Sequence, residues 1–276
     1  MIVMGRSIIH PKLLDDTELF FETKKQILES MTSNQEVYTY ETLDQLVFDV
    51  HLRLHLLLTC IDLLSSGIQF RTFSQSFCHD IFWKRTKQGG FQVEQGVLPS
   101  VAINDIFSNG KKYGTECATA IIIIIYKSLL QCYDDHTFNR LFSNLLLFTW
   151  DYDKNLKLIT KTDGTIIPGD ITYFKNPQVD PLTIEWQGEN TIYLGDDFHY
   201  GHGVGMSTSD QVINTLNLRR KPNAFLTAYI TNFITRVDIA QMSIYASSSK
   251  IKSTIQFTPI RENIIIATAG HTTTVY

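Results

Sequence analysis

The run "AIIIIIY", residues 120 to 126, places five consecutive isoleucines on every side of whatever element they form. A helix that is apolar all round must be enclosed by the rest of the molecule, and this run is far shorter than the ~20 residues that span a bilayer. The segment predicts a central buried helix over about 115 to 133, with the core built around it. A chain of 276 residues, 43% of them hydrophobic, has the material for such a core. The same segment opens "YGTECATA", so that Glu116 and Cys117 stand at the mouth of the apolar block. Two readings are open. Free Cys is among the most often buried residues, and Cys117 can be simple packing. A thiol at a helix N-terminus also meets the positive end of the helix dipole, which lowers its pKa and makes it a nucleophile.

Composition removes several functional classes. The net charge of -4 and pI near 6.0 give no electrostatic footprint for nucleic acid or an anionic membrane surface. The N-terminal segment turns charged early and carries no apolar stretch of signal-peptide length, so neither export nor membrane insertion is expected. Cys60, Cys78, Cys117 and Cys132 form no C-x-x-C pair and are expected as reduced thiols.

The patterning changes midway. Leu43, Leu46, Val47, Val50, Leu54, Leu57, Leu58, Ile61 and Leu64 recur at helical spacing, with Thr42 and Gln45 as a capping pair and Gly67 as the stop. "PSVAINDIFSNG" predicts a shorter helix ending at Gly110. After Leu145, short segments rich in Ile, Tyr, Phe and Thr are separated by turn signals such as Asp163-Gly164, which predicts an antiparallel sheet. "STSDQVINTLNLRR" and "NAFLTAYITNFITR" return to helical spacing and predict two helices. The tail from Ser247 alternates like edge strands with weak anchors. The expected organisation is an α+β chain with one catalytic domain over 1–246 and an appended tail over 247–276.

Within the predicted sheet, "WQGENTIYLGDDFHYGHGVG" sets a carboxylate near an imidazole. A two-residue turn at Gly195-Asp196 would pair Thr191 with Tyr200 and Glu189 with His202, with Cβ atoms about 5 Å apart. Glu189 can equally be a solvated strand residue, and His202 a loop residue. Together with Cys117 they fit a papain-like layout: a nucleophile on a helix N-terminus packed against an antiparallel sheet that offers a base and its orienter.

The segments "ECATAI", "YFKNP" followed by "DP", "WQGEN" and "GHGVG" are co-linear motifs. Through them the chain, from its N-terminus to about Met242, resembles the small calcium-independent transglutaminases of spore-forming bacilli, which cross-link spore-coat proteins. The resemblance implies that Cys117 is the nucleophile, Glu189 the principal acid/base and Glu116 its support. It implies that His202 lies close to the thiol, and that Phe70, Trp150 and Trp186 line a substrate tunnel. It also implies a monomer that needs no cofactor or metal, joins glutamine to lysine side chains, and works in the mother cell and then in the spore coat. The tail beyond Met242 has no counterpart in the shortest family members. Two alternatives stay open: a cysteine amidase or peptidase, in which water takes the place of the amine, and a coat protein in which Cys117 is inert.

Other signals are discounted. His51 and His55 are spaced as zinc ligands but lack a third ligand nearby. "DYDKN" begins like a calcium loop, yet Leu156 stands where such a loop needs Gly. "GHGVG" lacks the Lys-Ser/Thr ending of a phosphate cradle.

Overall fold

The computed structural model describes residues 1–13, 19–251, 255–260, 266–269 and 272–275. Strands β1 (Ile2–Met4) and β2 (Ser7–Leu13) pair antiparallel; helix α1 (Phe21–Ser33) leads to β3 (Tyr38–Tyr40), which lies parallel to β1. Helix α2 (Leu43–Ser66) is followed by β4 (Gln69–Phe70), β5 (Trp83–Arg85), β6 (Phe91–Val93), α3 (Pro99–Ser108) and β7 (Gly114–Thr115). Next come α4 (Cys117–Cys132), α5 (Asp135–Leu141) and β8 (Leu146–Leu147). The second half holds β9 (Leu158–Thr162), β10 (Ile171–Lys175), β11 (Gly188–Gly195), β12 (Phe198–Gly201), β13 (Gly205–Thr208), α6 (Ser209–Asn217), β14 (Tyr229–Val237) and α7 (Ile239–Met242). The tail contributes β15 (Ile255–Ile260), β16 (Ile266–Ala269) and β17 (Thr272–Val275). The six-stranded sheet, in the order β13-β12-β11-β10-β14-β9, is antiparallel throughout. The architecture is mixed helix and antiparallel sheet.

Helix α2 starts and stops where its residues dictate. The Thr42 hydroxyl accepts from Gln45 N, and Gly67 takes φ 82°, a left-handed value that suits glycine at a helix end. Its 24 residues reach about 36 Å and are buried on two faces. Phe48, Leu52, Leu56, Cys60 and Leu63 pack in one cluster with Ile121 to Ile125 of α4, all five fully buried; Leu46, Val47, Val50 and Leu54 join β1, β3 and α1 in a second. The isoleucine run is thus enclosed on all sides. Each buried isoleucine contributes about 1.5–3 kcal/mol over an exposed one, and that enclosure holds the N-terminus of α4 in place.

A buried ionic network, not foreseen from the sequence, pins α2 to the sheet. Arg53 of α2 donates to Asp49 Oδ1 at 2.9 Å and to Asp170 Oδ1 at 2.8 Å, while Asp170 also accepts from Arg236 of β14 at 2.7 and 2.6 Å. The two guanidiniums hold the Asp170 carboxyl below the usual carboxylate range although it is wholly buried. Asp170→Ala would remove the carboxylate that the two buried guanidiniums share, leaving Arg53 with the Asp49 carboxylate alone and Arg236 with Glu36. The expected outcome is a loss of about 3–5 kcal/mol, seen as a fall of about 10 °C in the calorimetric midpoint. An unchanged midpoint would mean that Arg53 and Arg236 find other partners.

Three expectations are corrected. The segment from 223 to 236 is not a helix: its second half is β14, between β10 and β9. Ile230, Phe233, Ile234 and Val237 fit helical spacing, but β-branched and aromatic residues dominate, and two neighbouring strands supply the ladder. "LLLFTWDY" yields only the two-residue β8, paired with β6. The tail is better anchored than its composition suggests. β15 adds to the edge of β2, Ile255 is buried in the second cluster, Ser247 N donates to Cys132 O at 2.9 Å, and Lys250 Nζ donates to Leu130 O at 2.9 Å. Residues 252–254, 261–265, 270, 271 and 276 of the tail lie outside the described residues.

Candidate active site

The approach to α4 is fixed by backbone pairing. Gln69 N donates to Tyr113 O, Arg71 N donates to Thr115 O, and Phe77 exchanges two bonds with Gly114. A Cβ on Gly114 would stand 2.5 Å from the Phe77 ring, which is why only glycine fits there. The chain then turns into the helix at Glu116, the N-cap, rather than within the first turn as the spacing suggested. Ser, Thr, Asp and Asn are the usual caps; here the longer carboxylate does the work, accepting from Ala118 N at 2.6 Å, Thr119 N at 2.8 Å and the Thr119 hydroxyl. Burial raises the Glu116 pKa, and these three donors oppose the rise.

Cys117 is therefore the first helical residue, 9% exposed, and it accepts from Asn190 Nδ2 of β11 at 3.5 Å. The expected depression of its pKa is overturned. Burial pushes the thiol up, and the Glu189 and Glu116 carboxylates push it further, outweighing the Asn190 hydrogen bonds.

Glu189 lies in β11, 1% exposed, and its Oε1 accepts from Gly203 N at 2.9 Å. Burial raises its carboxyl to about 8. The glycines of "GHGVG" have a physical reason. Cβ atoms on Gly201 and Gly203 would stand 2.8 and 2.9 Å from the Glu189 oxygens, so both positions are kept bare to admit the carboxylate.

His202 is not paired with Glu189, because the hairpin register is one residue away from the expected one. Thr191 faces Gly201, Ile192 faces Tyr200, and the ladder shifts again before Gly195 meets Phe198. The turn falls on Asp196 and Asp197, both at positive φ (49° and 64°), and Asp tolerates that conformation better than most residues. The His202 ring instead donates through Nε2 to Gln69 O at 3.2 Å, and burial lowers its pKa to about 4, so it is neutral. It braces β4, the strand that runs beside β7 ahead of the thiol.

A cavity of about 790 Å³ opens beside the thiol, lined by Glu116, Cys117, Trp150, Tyr173, Asn190 and Phe233 among others. Of the three expected aromatics, Trp150 lines it. Phe70 and Trp186 are not among its lining residues; their rings lie tilted against each other with centroids 5.4 Å apart, and Phe70 is 6.0 Å from the His202 ring, on the Glu189 side of the site. Thr119 joins two parts of the wall: its hydroxyl donates to Glu116 and accepts from Thr149 N at 2.7 Å, next to Trp150.

A family model described as protein-glutamine gamma-glutamyltransferase matches residues 1–246. The chain belongs to that family. Protein-glutamine gamma-glutamyltransferases of Bacillus mycoides (strain KBAB4) and Bacillus cereus (strain G9842) are each 59% identical to this transglutaminase over 276 residues, covering all of both chains. A solved structure, a transglutaminase from Geobacillus stearothermophilus without its C-terminal extension, superposes with a TM-score of 0.72 at 49% identity, covering 75% of this chain and 99% of that one. Sequence reasoning singled out Cys117, Glu189 and Glu116, which the structure brings together, but not Asn190, Tyr173 or Thr119, which lie beside them. Asn190 follows Glu189 directly in "GEN", and only the strand's place beside α4 shows that its amide reaches the sulfur. Among the described residues no helix is long and apolar enough to cross a membrane.

Proposed function

We propose that the chain joins glutamine and lysine side chains through a thioester on Cys117, with Glu189 as the acid/base, in a papain-like arrangement of α4 against β11. The observation that carries this reading is the convergence of the thiol at the start of α4 with the buried Glu189 carboxyl of β11, the charge that raises the thiol most; burial lifts that carboxyl to about 8, so its ionised form takes the thiol proton at mildly alkaline pH. The Cys117 proton passes to Glu189 as sulfur attacks the glutamine carboxamide carbon. The C–S bond forms, the C–N bond breaks, and Glu189 returns the proton to the departing nitrogen, which leaves as ammonia. A neutral lysine amine then attacks the thioester. The new C–N bond forms, the C–S bond breaks, and the amine proton passes through Glu189 to the sulfur. Asn190 steadies the sulfur, Glu116 holds the helix start, and His202 braces β4. Trp150 and Phe233 keep water from the thioester, which favours transfer over hydrolysis. The motif resemblance supports turnover that is independent of calcium.

The substrates are proteins with accessible glutamine and lysine, and the motif resemblance supports spore-coat proteins as the targets, with a monomeric enzyme acting in the mother cell and then in the coat. Incorporation of a labelled amine into a glutamine-rich protein, unaffected by a chelator and lost with a thiol blocker, is the expected result. Ammonia release without incorporation would instead mark an amidase.

The tail beyond Ser247 supplies structure rather than chemistry. Among the described residues, none of β15 lines the cavity. Truncation at Ser247 is expected to leave specific activity within several-fold while lowering the melting midpoint, because the β2 edge and the Ile255 contact are lost. A folded truncation without activity would put the tail in the site.

A further inference from the structure

The geometry points to Glu185 as the residue that holds the ammonium group of the incoming lysine at the mouth of the cavity, an assignment that rests on the acyl-transfer reading above. Two carboxylates line the cavity, Glu116 and Glu185, and no Lys, Arg or His is among its described lining residues. Glu116 is committed to capping α4. Glu185 differs in three respects. It is half-buried, on the 3-10 segment Pro181–Trp186, which lines one side of the cavity through Ile184 and Glu185. Its carboxylate makes no hydrogen bond or ion pair to any described residue. Its neighbours on that segment and across the cavity, Ile184, Phe233 and Trp150, are apolar and partly exposed.

An unpaired anion at the rim of an aromatic-walled cavity with no cationic side chain among its described lining residues selects a ligand with a cationic head on an apolar stem, which describes a lysine side chain. The glutamine donor is neutral at its reacting end and gains nothing from the charge. The depth of the site matters too. At the half-wet rim an ammonium keeps part of its hydration, whereas beside the thioester it would be desolvated and has to shed its proton before attacking. Glu185 therefore gathers the charged form, and the neutral amine reacts deeper, next to Glu189. A strongly hydrated charge pair at a partly exposed rim is modest in strength, so the effect belongs in KM for the acceptor.

The test compares wild type with Glu185→Gln at saturating glutamine donor, using two acceptors: a lysine-containing peptide, and hydroxylamine, which is uncharged at neutral pH and gives a hydroxamate read by colour. The expected result is a rise of about five- to tenfold in the lysine KM with kcat unchanged, and no change in hydroxamate formation. Glu185→Asp should fall between, and Glu185→Lys should raise the lysine KM further. Added salt should raise the lysine KM of the wild type and leave that of Glu185→Gln flat. An unchanged lysine KM with normal hydroxamate formation overturns the assignment alone, as does an equal shift for both acceptors. Absence of hydroxamate from the wild type would remove the thioester reading and the assignment with it.

Discussion

Cys117→Ala is expected to abolish amine incorporation completely while leaving the circular dichroism spectrum and melting midpoint close to wild type. The substitution removes one sulfur at the first helical position, where the backbone is held by Glu116 and by β7 rather than by the thiol. The lost contacts are few, of which the Asn190 amide is the polar one, and a cost on the order of 1 kcal/mol follows. Cys117→Ser keeps the shape but loses the polarisable sulfur in a buried site that disfavours the anion, so it should be equally inactive. No other thiol can take over. Cys60 and Cys132 are wholly buried, with their pKa values pushed up by that burial, and Cys78 is raised to about 12. Wild-type rates in Cys117→Ala would remove the mechanism.

The two acids should separate in the same assay. Glu189→Gln is expected to lose on the order of 100-fold or more, Glu116→Gln about tenfold, and the double variant nearly everything. The reason is positional. The Glu189 carboxylate is the charge that raises the thiol most, ahead of Glu116, and Glu116 already spends its oxygens on two amides and a hydroxyl. Glu189 must be ionised to accept the thiol proton, so wild-type acylation should rise as pH passes through about 8, and this limb should vanish in Glu189→Gln. Stability runs the other way. A carboxyl raised on folding favours the native state at low pH, and that contribution is lost as pH rises from its ordinary range through about 8. Glu189→Gln should therefore melt above wild type at pH 8, with the gap closing toward pH 5. Equal activity of Glu189→Gln and wild type would sink the assignment, and a larger loss in Glu116→Gln would reverse the roles.

Much of the scaffold is written locally, and most of the site is not. Helices α2 and α4 follow from their apolar residues, and Thr42 and Gly67 mark the two ends of α2, because those signals act within a turn of chain. The β14 strand fails as a helix because its spacing fits both and only its two neighbours decide. The hairpin register depends on Asp196 and Asp197 entering the left-handed region, a choice that the Gly195-Asp196 dipeptide hides. The upward direction of the Cys117 pKa is hidden in the sequence for a related reason. The helix dipole is a local property, whereas burial and the field of Glu189 arrive from elements distant in sequence. What the motifs preserved was identity: Cys117, Glu189 and Glu116 do converge, and the glycines around His202 leave room for the carboxylate.

Intact-mass measurement of the enzyme mixed with a glutamine-containing peptide, with no amine present and rapid acid quenching, reads the thioester directly. The predicted result is a species heavier by the peptide less one ammonia, mapped after digestion to the fragment that contains Cys117 and discharged when a lysine peptide is added. Isopeptide product formed with no such adduct, or an adduct on Cys60, Cys78 or Cys132 in its place, would contradict it.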